Sequence, residues 1–424
     1  MNRLRLEIAV MIGCLTASTG VVRAGDTDFD LSGRLSPQAA ATTYPDNSVF
    51  NDIFGSSSVD SSIDGRLVVD LQHGRWSLDV DYQLIGLYAD SLEFTRELPA
   101  ELGPLFPRLP DDHTRLFDLT HTFTDSGKTA ALHRLDRLSV GYTSNRVVVK
   151  FGRQAITWGN GLIFSVMDIF NPFDPAAVDK EYKTGDDLLY GQYLFSNGDD
   201  AQTVVVFRRD PVTGDVEADQ RSLALKYHHM ASLSEYDALV ARHFGDGLVA
   251  FAMNRSIGGA VWRGDAVLTF TDHDTVLSLV TSLSYAWVWG GRNFSGAAEY
   301  YANGYGQSDG CYSFTCLTEN PDLIARISRG ELFNLGRHYL GLSATVEVTP
   351  LFLVTPNAFV NLTDPSALIQ VVFKNDLREN LLLWSAVNLP VGANGTEFGG
   401  GATEVPGVYL SSGPGISMQL VWYW

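Results

Sequence analysis

Apolar and polar residues alternate along most of this chain. Trp76, Leu78, Val80, Tyr82, Leu84, Gly86 and Tyr88 stand against Ser77, Asp79, Asp81 and Gln83. Leu277, Leu279, Thr281, Leu283, Tyr285, Trp287 and Trp289 stand against Ser278, Ser282, Ser284 and Ala286. The C-terminal stretch sets Ile416, Met418, Leu420, Trp422 and Trp424 against Ser417, Gln419, Val421 and Tyr423. A period of two is a β-strand with one apolar face. Tight-turn signals separate many of these runs. Ser144-Asn145 lies between Leu138-Val140-Tyr142 and Val147-Val149-Phe151, and Asn197-Gly198 and Thr349-Pro350 sit between further strands. Each is a hairpin signal.

The pattern predicts about eighteen strands; sixteen is the alternative, because strands within 235–270 could merge. If the first strand runs outward, the long connections 37–61, 89–130, 158–186, 210–220, 304–336 and 389–412 all fall at one end. The short ones at 73–74, 144–145, 197–200, 290–292 and 349–350 fall at the other. Outer-membrane barrels show this asymmetry, and a soluble sandwich has no reason to. Beyond the N-terminal region no run of 18 apolar residues occurs, so helical spans are not expected. Strands can cross lipid only as a closed barrel. The expected fold is therefore all-β: a transmembrane antiparallel up-and-down β-barrel over 25–424, in a Gram-negative outer membrane.

The N-terminus fits export. Arg3 and Arg5 precede the apolar run Ile8 to Leu15, and Val22-Arg23-Ala24 reads as a peptidase site, so residues 1–24 are expected to be a signal peptide. Cys14 follows a poor lipidation box. The net charge of −19 argues against nucleic acid as a partner. Much of the excess acid lies in loop-like pairs such as Asp111-Asp112, Asp186-Asp187 and Asp199-Asp200; these read as solvated loops, with divalent-cation binding as the alternative. Cys311 and Cys316 are expected to form a local disulfide in an oxidising compartment. No metal, haem or phosphate-loop motif is present, and no cofactor is expected. The nine histidines are scattered and join no nucleophile, so no catalytic residues are assigned and an enzyme is not expected.

Strand parity turns Asp79, Asp81, Gln83, Arg137, Lys150, Gln154, Arg208, Lys226, His228 and Glu299 toward the lumen. They read as pore lining with internal ion pairs, or as a selective track of fixed charges. Residues 158–186 are too apolar for an exposed loop: Leu162, Ile163, Phe164, Val166, Met167, Ile169, Phe170 and Phe173 would face water, while Pro172 and Pro175 prevent a long regular element. The loop is expected to fold into the barrel mouth, with Trp158, Phe164, Met167, Asp168, Phe170 and Asn171 forming a constriction; a cap over the rim or a partner contact are the alternatives. Arg153 breaks parity, because with Val149 and Phe151 it would face lipid at a cost of about 2–4 kcal/mol at midplane. Either a bulge at Gly152 turns it inward, or it lies near the outer interface.

The stretch from Phe151-Gly-Arg-Gln through Thr-Trp-Gly-Asn-Gly to Met-Asp-Ile-Phe-Asn-Pro172 resembles a poorly characterised group of porin-like proteobacterial outer-membrane barrels, broadly similar to the alginate-export type. Glu299 to Gly306 and Gly336 to Gly341 are similar to that group as well, and the terminal aromatic strand resembles the closing strand of outer-membrane barrels. No alginate-channel arginine pattern is found. The resemblance implies passive, porin-like passage of small hydrophilic solutes, lipid and lipopolysaccharide around the barrel, and handling of the C-terminal strand by the barrel-assembly machinery. A barrel that scaffolds or sheathes a periplasmic or export partner is the alternative.

Overall fold

The computed structural model describes residues 22–24, 26–97 and 109–424. The expected signal peptide lies outside the described residues except for 22–24. Eighteen strands form the barrel wall. They are β1 Thr27–Thr43, β2 Ser57–His73, β3 Trp76–Ala89, β4 Thr129–Thr143, β5 Val147–Gln154 and β6 Asp186–Leu194. β7 Asp200–Val206, β8 Ser222–Met230, β9 Ser234–His243, β10 Asp246–Ile257, β11 Ala260–Phe270 and β12 Thr275–Trp289 follow. β13 Arg292–Ala302, β14 His338–Thr349, β15 Phe352–Asn361, β16 Ser366–Arg378, β17 Leu381–Val391 and β18 Gly415–Tyr423 complete it. Each pairs antiparallel with the next, and β18 closes on β1 with Gln38 opposite Gln419 and Ala40 opposite Ser417. The count is eighteen, and the 235–270 region holds separate strands rather than merged ones.

One end of the barrel carries tight turns. Gly258-Gly259 and Gly290-Gly291 join their strands directly, with φ of 54° and 88°, then 58° and 75°. Two consecutive positive φ values match the right-handed twist of the flanking strands, and glycine adopts them without a Cβ penalty. The opposite end carries all the long connections. On the outward face Leu223, Leu225, Val249, Phe251, Leu277, Leu283, Ile416 and Met418 are exposed, the apolar band that lipid requires. Near the tight turns Tyr285, Trp287 and Phe294 stack into an aromatic belt.

The inward face changes character around the circumference. Over β6 to β11 it carries an apolar belt, Leu188, Val204, Ala224, Leu239, Leu248, Ala252 and Val267 all being buried, interspersed with charged residues such as Lys226, Asp237 and Asp265. Over β1 to β4 it is polar: Arg34 stands opposite Arg66 and Arg66 opposite Gln83, with Asp64, Asp79 and Asp81 on the same strands. A register shift opposite Asp81 and Tyr82 leaves Asp136 as an extra residue on β4. That bulge brings Arg134, Asp136 and Arg137 together.

Arg153 marks a seam in the wall. β5, β6 and β7 are short, and residues 109–119 run above their outer ends, bridging to Arg208 and Arg209. The ladder runs through Gly152 without a register shift, so no bulge turns Arg153 inward. It lies at the outer end of β5, fully buried beneath 109–119. It donates to Asp187 at 2.9 and 3.1 Å, to both oxygens of Asp112 at 3.0 Å, and to the Phe117 carbonyl at 2.6 Å. The charge that parity placed toward lipid is thus neutralised by two carboxylates. Gly152 permits the close fit, because a Cβ there would lie 2.1 Å from the Leu138 carbonyl oxygen.

Two predictions follow from this wall. Gly33→Val puts a Cβ 2.4 Å from the Trp424 ring and 2.6 Å from the Arg66 carbonyl at the closing seam, and such overpacking costs about 1–3 kcal/mol. The variant is expected to lose heat-modifiable barrel at a lower temperature on gel migration. The second concerns Asp112. Burial raises its carboxyl, but hydrogen bonds and ion pairing with Arg115 and Arg153 and the Leu119 N–H outweigh this and bring it down to about 2. A carboxylate depressed in the folded state stabilises above its unfolded value and loses that contribution as pH falls, here from about 4 to about 2. Hydrogen exchange should show 109–119 losing protection across that window, and Asp112→Asn should show reduced protection already at neutral pH.

Candidate functional site

Residues 155–185 leave the end of β5 and turn into the barrel. The apolar inner wall explains where they go. Trp158, Met167 and Phe170 are buried against Leu188, Val204, Leu239 and their neighbours. Phe164 stacks on Tyr301 with ring centroids 4.9 Å apart and lies beside Tyr339. Burial of side chains this size is worth about 1.5–3 kcal/mol each.

A loop drawn inside must also find acceptors for its backbone N–H groups. Glu299 on β13 accepts from Leu162, Ile163 and Phe164 at 2.7, 3.0 and 2.6 Å. Asp265 on β11 accepts from Asn160 at 2.7 Å. The Trp-Gly-Asn-Gly sequence suits this turn. Gly159 has φ of 94°, and a Cβ on Gly161 would lie 1.9 Å from the Phe164 carbonyl oxygen. Lys183 and Asp168, both buried, pair at 2.6 Å, and Lys183 also donates to Ile156 O, so the start, middle and end of the loop are tied together.

The last part of the loop, 176–184, crosses the polar wall. Asp179 accepts from Arg34 at 2.9 Å and Gln419 at 3.0 Å; Glu181 accepts from Arg34 at 3.0 Å and Tyr423 at 2.7 Å. The Tyr182 ring is held by two guanidiniums, Arg34 at 4.4 Å and Arg66 at 4.1 Å from its centroid. Arg66 pairs with Asp136 at 2.9 Å and Asp81 at 3.4 Å; Arg134 and Arg137 meet the same Asp136 at 2.6 and 3.0 Å. Toward the tight-turn end Asp30, Asp70 and Asp79 stand directly opposite one another on β1, β2 and β3, and Lys150 reaches Asp79 at 3.2 Å.

Two adjoining cavities remain beside this strap. One of about 550 Å³ is lined by Gln38, Asp60, Ser62, Asp64, Trp384 and Ser417 among others. One of about 270 Å³ is lined by Arg34, Arg66, Gln83, Arg134 and Tyr182. Both are walled by Gln38, Asp64, Asp179 and Gln419.

The residues singled out from the sequence divide into groups. Asp79 and Lys150 pair with each other and stay partly exposed, Asp79 also accepting from Ser139 at 3.0 Å. Asp81, Gln83 and Arg137 sit in the arginine–carboxylate network, with Gln83 donating to Asp64. Glu299 holds the loop. Lys226 pairs with Asp237 at 3.4 Å and lies over the Trp158 ring; His228 shares Asp237 at 2.9 Å. Gln154 is buried. Asp168 pairs with Lys183, and Asn171 donates to the Thr184 carbonyl at 3.4 Å. Cys311 and Cys316 are disulfide-bonded in the outer loop. Parity from Phe29 and Leu31 could have placed Arg34 inside; nothing in the sequence marked Asp136, Asp265 or Tyr182.

Arg208 belongs to a rim network invisible in the sequence. Ser222 Oγ lies 2.8 Å from His243 Nδ1, and His243 Nε2 lies 3.1 Å from Glu331. The order resembles a hydrolytic triad, but Ser222 and His243 are each 1% exposed and Arg208 donates to the serine oxygen at 2.7 Å. A nucleophile sealed from solvent and already accepting from a guanidinium has no route to a substrate.

No protein-family profile and no characterised protein sequence matches the chain. Solved structures do. Wzi of Escherichia coli, an outer-membrane protein involved in Group 1 capsule assembly and a carbohydrate-binding β-barrel, superposes with a TM-score of 0.51 at 10% identity, over 93% of this chain and 84% of Wzi. Acinetobacter baumannii OccAB4 gives 0.52 at 6% identity, over 93% and 98%. A BenF-like porin from Pseudomonas fluorescens Pf-5 gives 0.51 at 9% identity, over 96% and 100%. At such identities the likeness establishes the fold, that of Gram-negative outer-membrane barrels.

Glu299→Gln replaces two acceptor oxygens by one and turns an amide donor toward the loop's N–H groups. A buried donor left unpaired costs about 1–3 kcal/mol. The loop is expected to become cleavable within 158–175 under limited proteolysis while the barrel keeps its heat-modifiable migration.

Proposed function

We propose that this barrel is a porin-like channel through which small hydrophilic solutes diffuse passively, narrowed by the inward loop. The observation that carries the reading is the lumen's two-sided construction. The loop covers the apolar arc of β6 to β11, and a polar stripe with adjoining cavities is left along β1 to β4. A solute on that stripe meets hydroxyl, amide and charged groups in place of its hydration shell, the usual basis of selectivity in such pores. The fold is shared with proteins named as porins, which supports the reading at the level of architecture. In this reading residues 1–24 direct export, and β18, Gly415–Tyr423, is the strand handled during barrel assembly.

The test is single-channel conductance of the refolded, signal-free protein in a planar bilayer, beside a variant lacking 160–175. A steady conductance that rises in the deletion is expected, because the deleted residues fill the lumen. No conductance from either form, with barrel migration intact, overturns the channel and favours a barrel that scaffolds a periplasmic or export partner.

A further inference from the structure

We infer that the passage along the polar stripe selects cations, so that its solutes are small, positively charged ones such as amines; this rests on the channel reading above. Carboxylates are in excess at both ends of the passage and balanced in between. Ser91 and Leu92, from the long connection after β3, place the larger cavity at the mouth. The charged residues that line it are Asp60, Asp64 and Asp179, and each keeps accessible surface. Asp179 shares Arg34 with Glu181. Asp60 accepts from the Ser91 N–H at 3.1 Å and Asp64 from Gln83, and neither donor is a cation.

The arginines further in do not reverse this sign. The smaller cavity is lined by Arg34, Arg66 and Arg134, but equally by Asp64, Asp136 and Asp179. Each guanidinium already faces carboxylates: Arg34 meets Asp179 and Glu181, Arg66 meets Asp81 and Asp136, and Arg134 meets Asp136. The row therefore raises no barrier to a cation and offers an anion no uncommitted partner. Toward the tight-turn end Asp30, Asp70 and Asp79 stand across three strands, and Lys150 pairs with Asp79. Asp30 is exposed there, and Asp70 and Asp79 are half-buried. Fixed charge of one sign between low-dielectric walls concentrates counter-ions and repels co-ions along the whole passage. A separate feature points the same way. Trp384 lines the larger cavity, and Lys374 Nζ lies 5.5 Å from its ring centroid. That ring already engages an ammonium, the group a cationic solute would present to it. With Lys374 counted, the mouth still sets Asp60, Asp64, Asp179 and Glu181 against two bases, Arg34 and Lys374.

The reversal potential of the refolded protein in a bilayer of uncharged lipid, under a potassium chloride gradient, tests this. Potassium is expected to permeate several-fold faster than chloride. Methylammonium chloride then replaces potassium chloride as the organic probe, and the same sign of preference is expected. Asp30→Asn/Asp70→Asn removes two carboxylates that take no part in the ion pairs above, and should move the permeability ratio toward one. Lys150→Gln releases Asp79 and should move it the other way. A ratio at one, or in favour of chloride, overturns the inference and leaves the channel standing, as does a chloride-dominated current in methylammonium chloride. A cation preference that neither variant shifts overturns it as well, because the preference then arises elsewhere. Absence of conductance with barrel migration intact overturns the channel reading itself, and this inference with it.

Discussion

The constraint on which the rest depends is the apolar inner arc. Along β6 to β11 a belt of the wall is apolar on both faces, lipid on one side and Leu188, Val204, Leu239 and Val267 on the other, with Lys226, Asp237 and Asp265 set among them. Water against that inner surface would be unfavourable, so the chain must dry it from within. The loop from 155 to 185 does this with Trp158, Phe164, Met167 and Phe170. Its position is a consequence of the hydrophobic effect acting inside a barrel, where a polar interior is the common arrangement.

Once the loop is inside, its other features follow. Its backbone loses water, so Glu299 and Asp265 must supply acceptors. Having crossed the apolar arc, the chain must return to β6 across the polar arc, where Asp179 and Glu181 meet Arg34 and Tyr182 lies between guanidiniums. The arginines that might have attracted anions are thereby largely neutralised. Buried guanidiniums are tolerated where carboxylates satisfy them, and the same pairing sets the electrostatic character of the remaining passage. Arg153 illustrates the principle at the rim: a short strand leaves a charge near the lipid side, and residues 109–119 cover it with Asp112 in reach.

Legibility differs between these levels. The strand count, the two unequal ends and the oddity of 158–186 could be read because each is a local pattern: period-two alternation, turn residues, and an apolar run too rich for water. The disulfide pair is local as well. The bulge at Asp136 could not be read, because an extra residue leaves no mark until both strands are paired. Arg153 was legible as a conflict but not in its resolution, since Asp112 lies far along the chain. Glu299 was legible as facing inward, but its three N–H partners depend on where the loop comes to rest.

The sequence by itself determined which residues face lipid and that the wall must close, because alternation and the unsatisfied backbone of an open edge act on every strand alike. Only the tertiary structure decided how the lumen is divided. That division depends on which inward side chains lie side by side around the circumference, and neighbours such as Arg34, Arg66 and Tyr182 become neighbours only through strand register and the path of one loop.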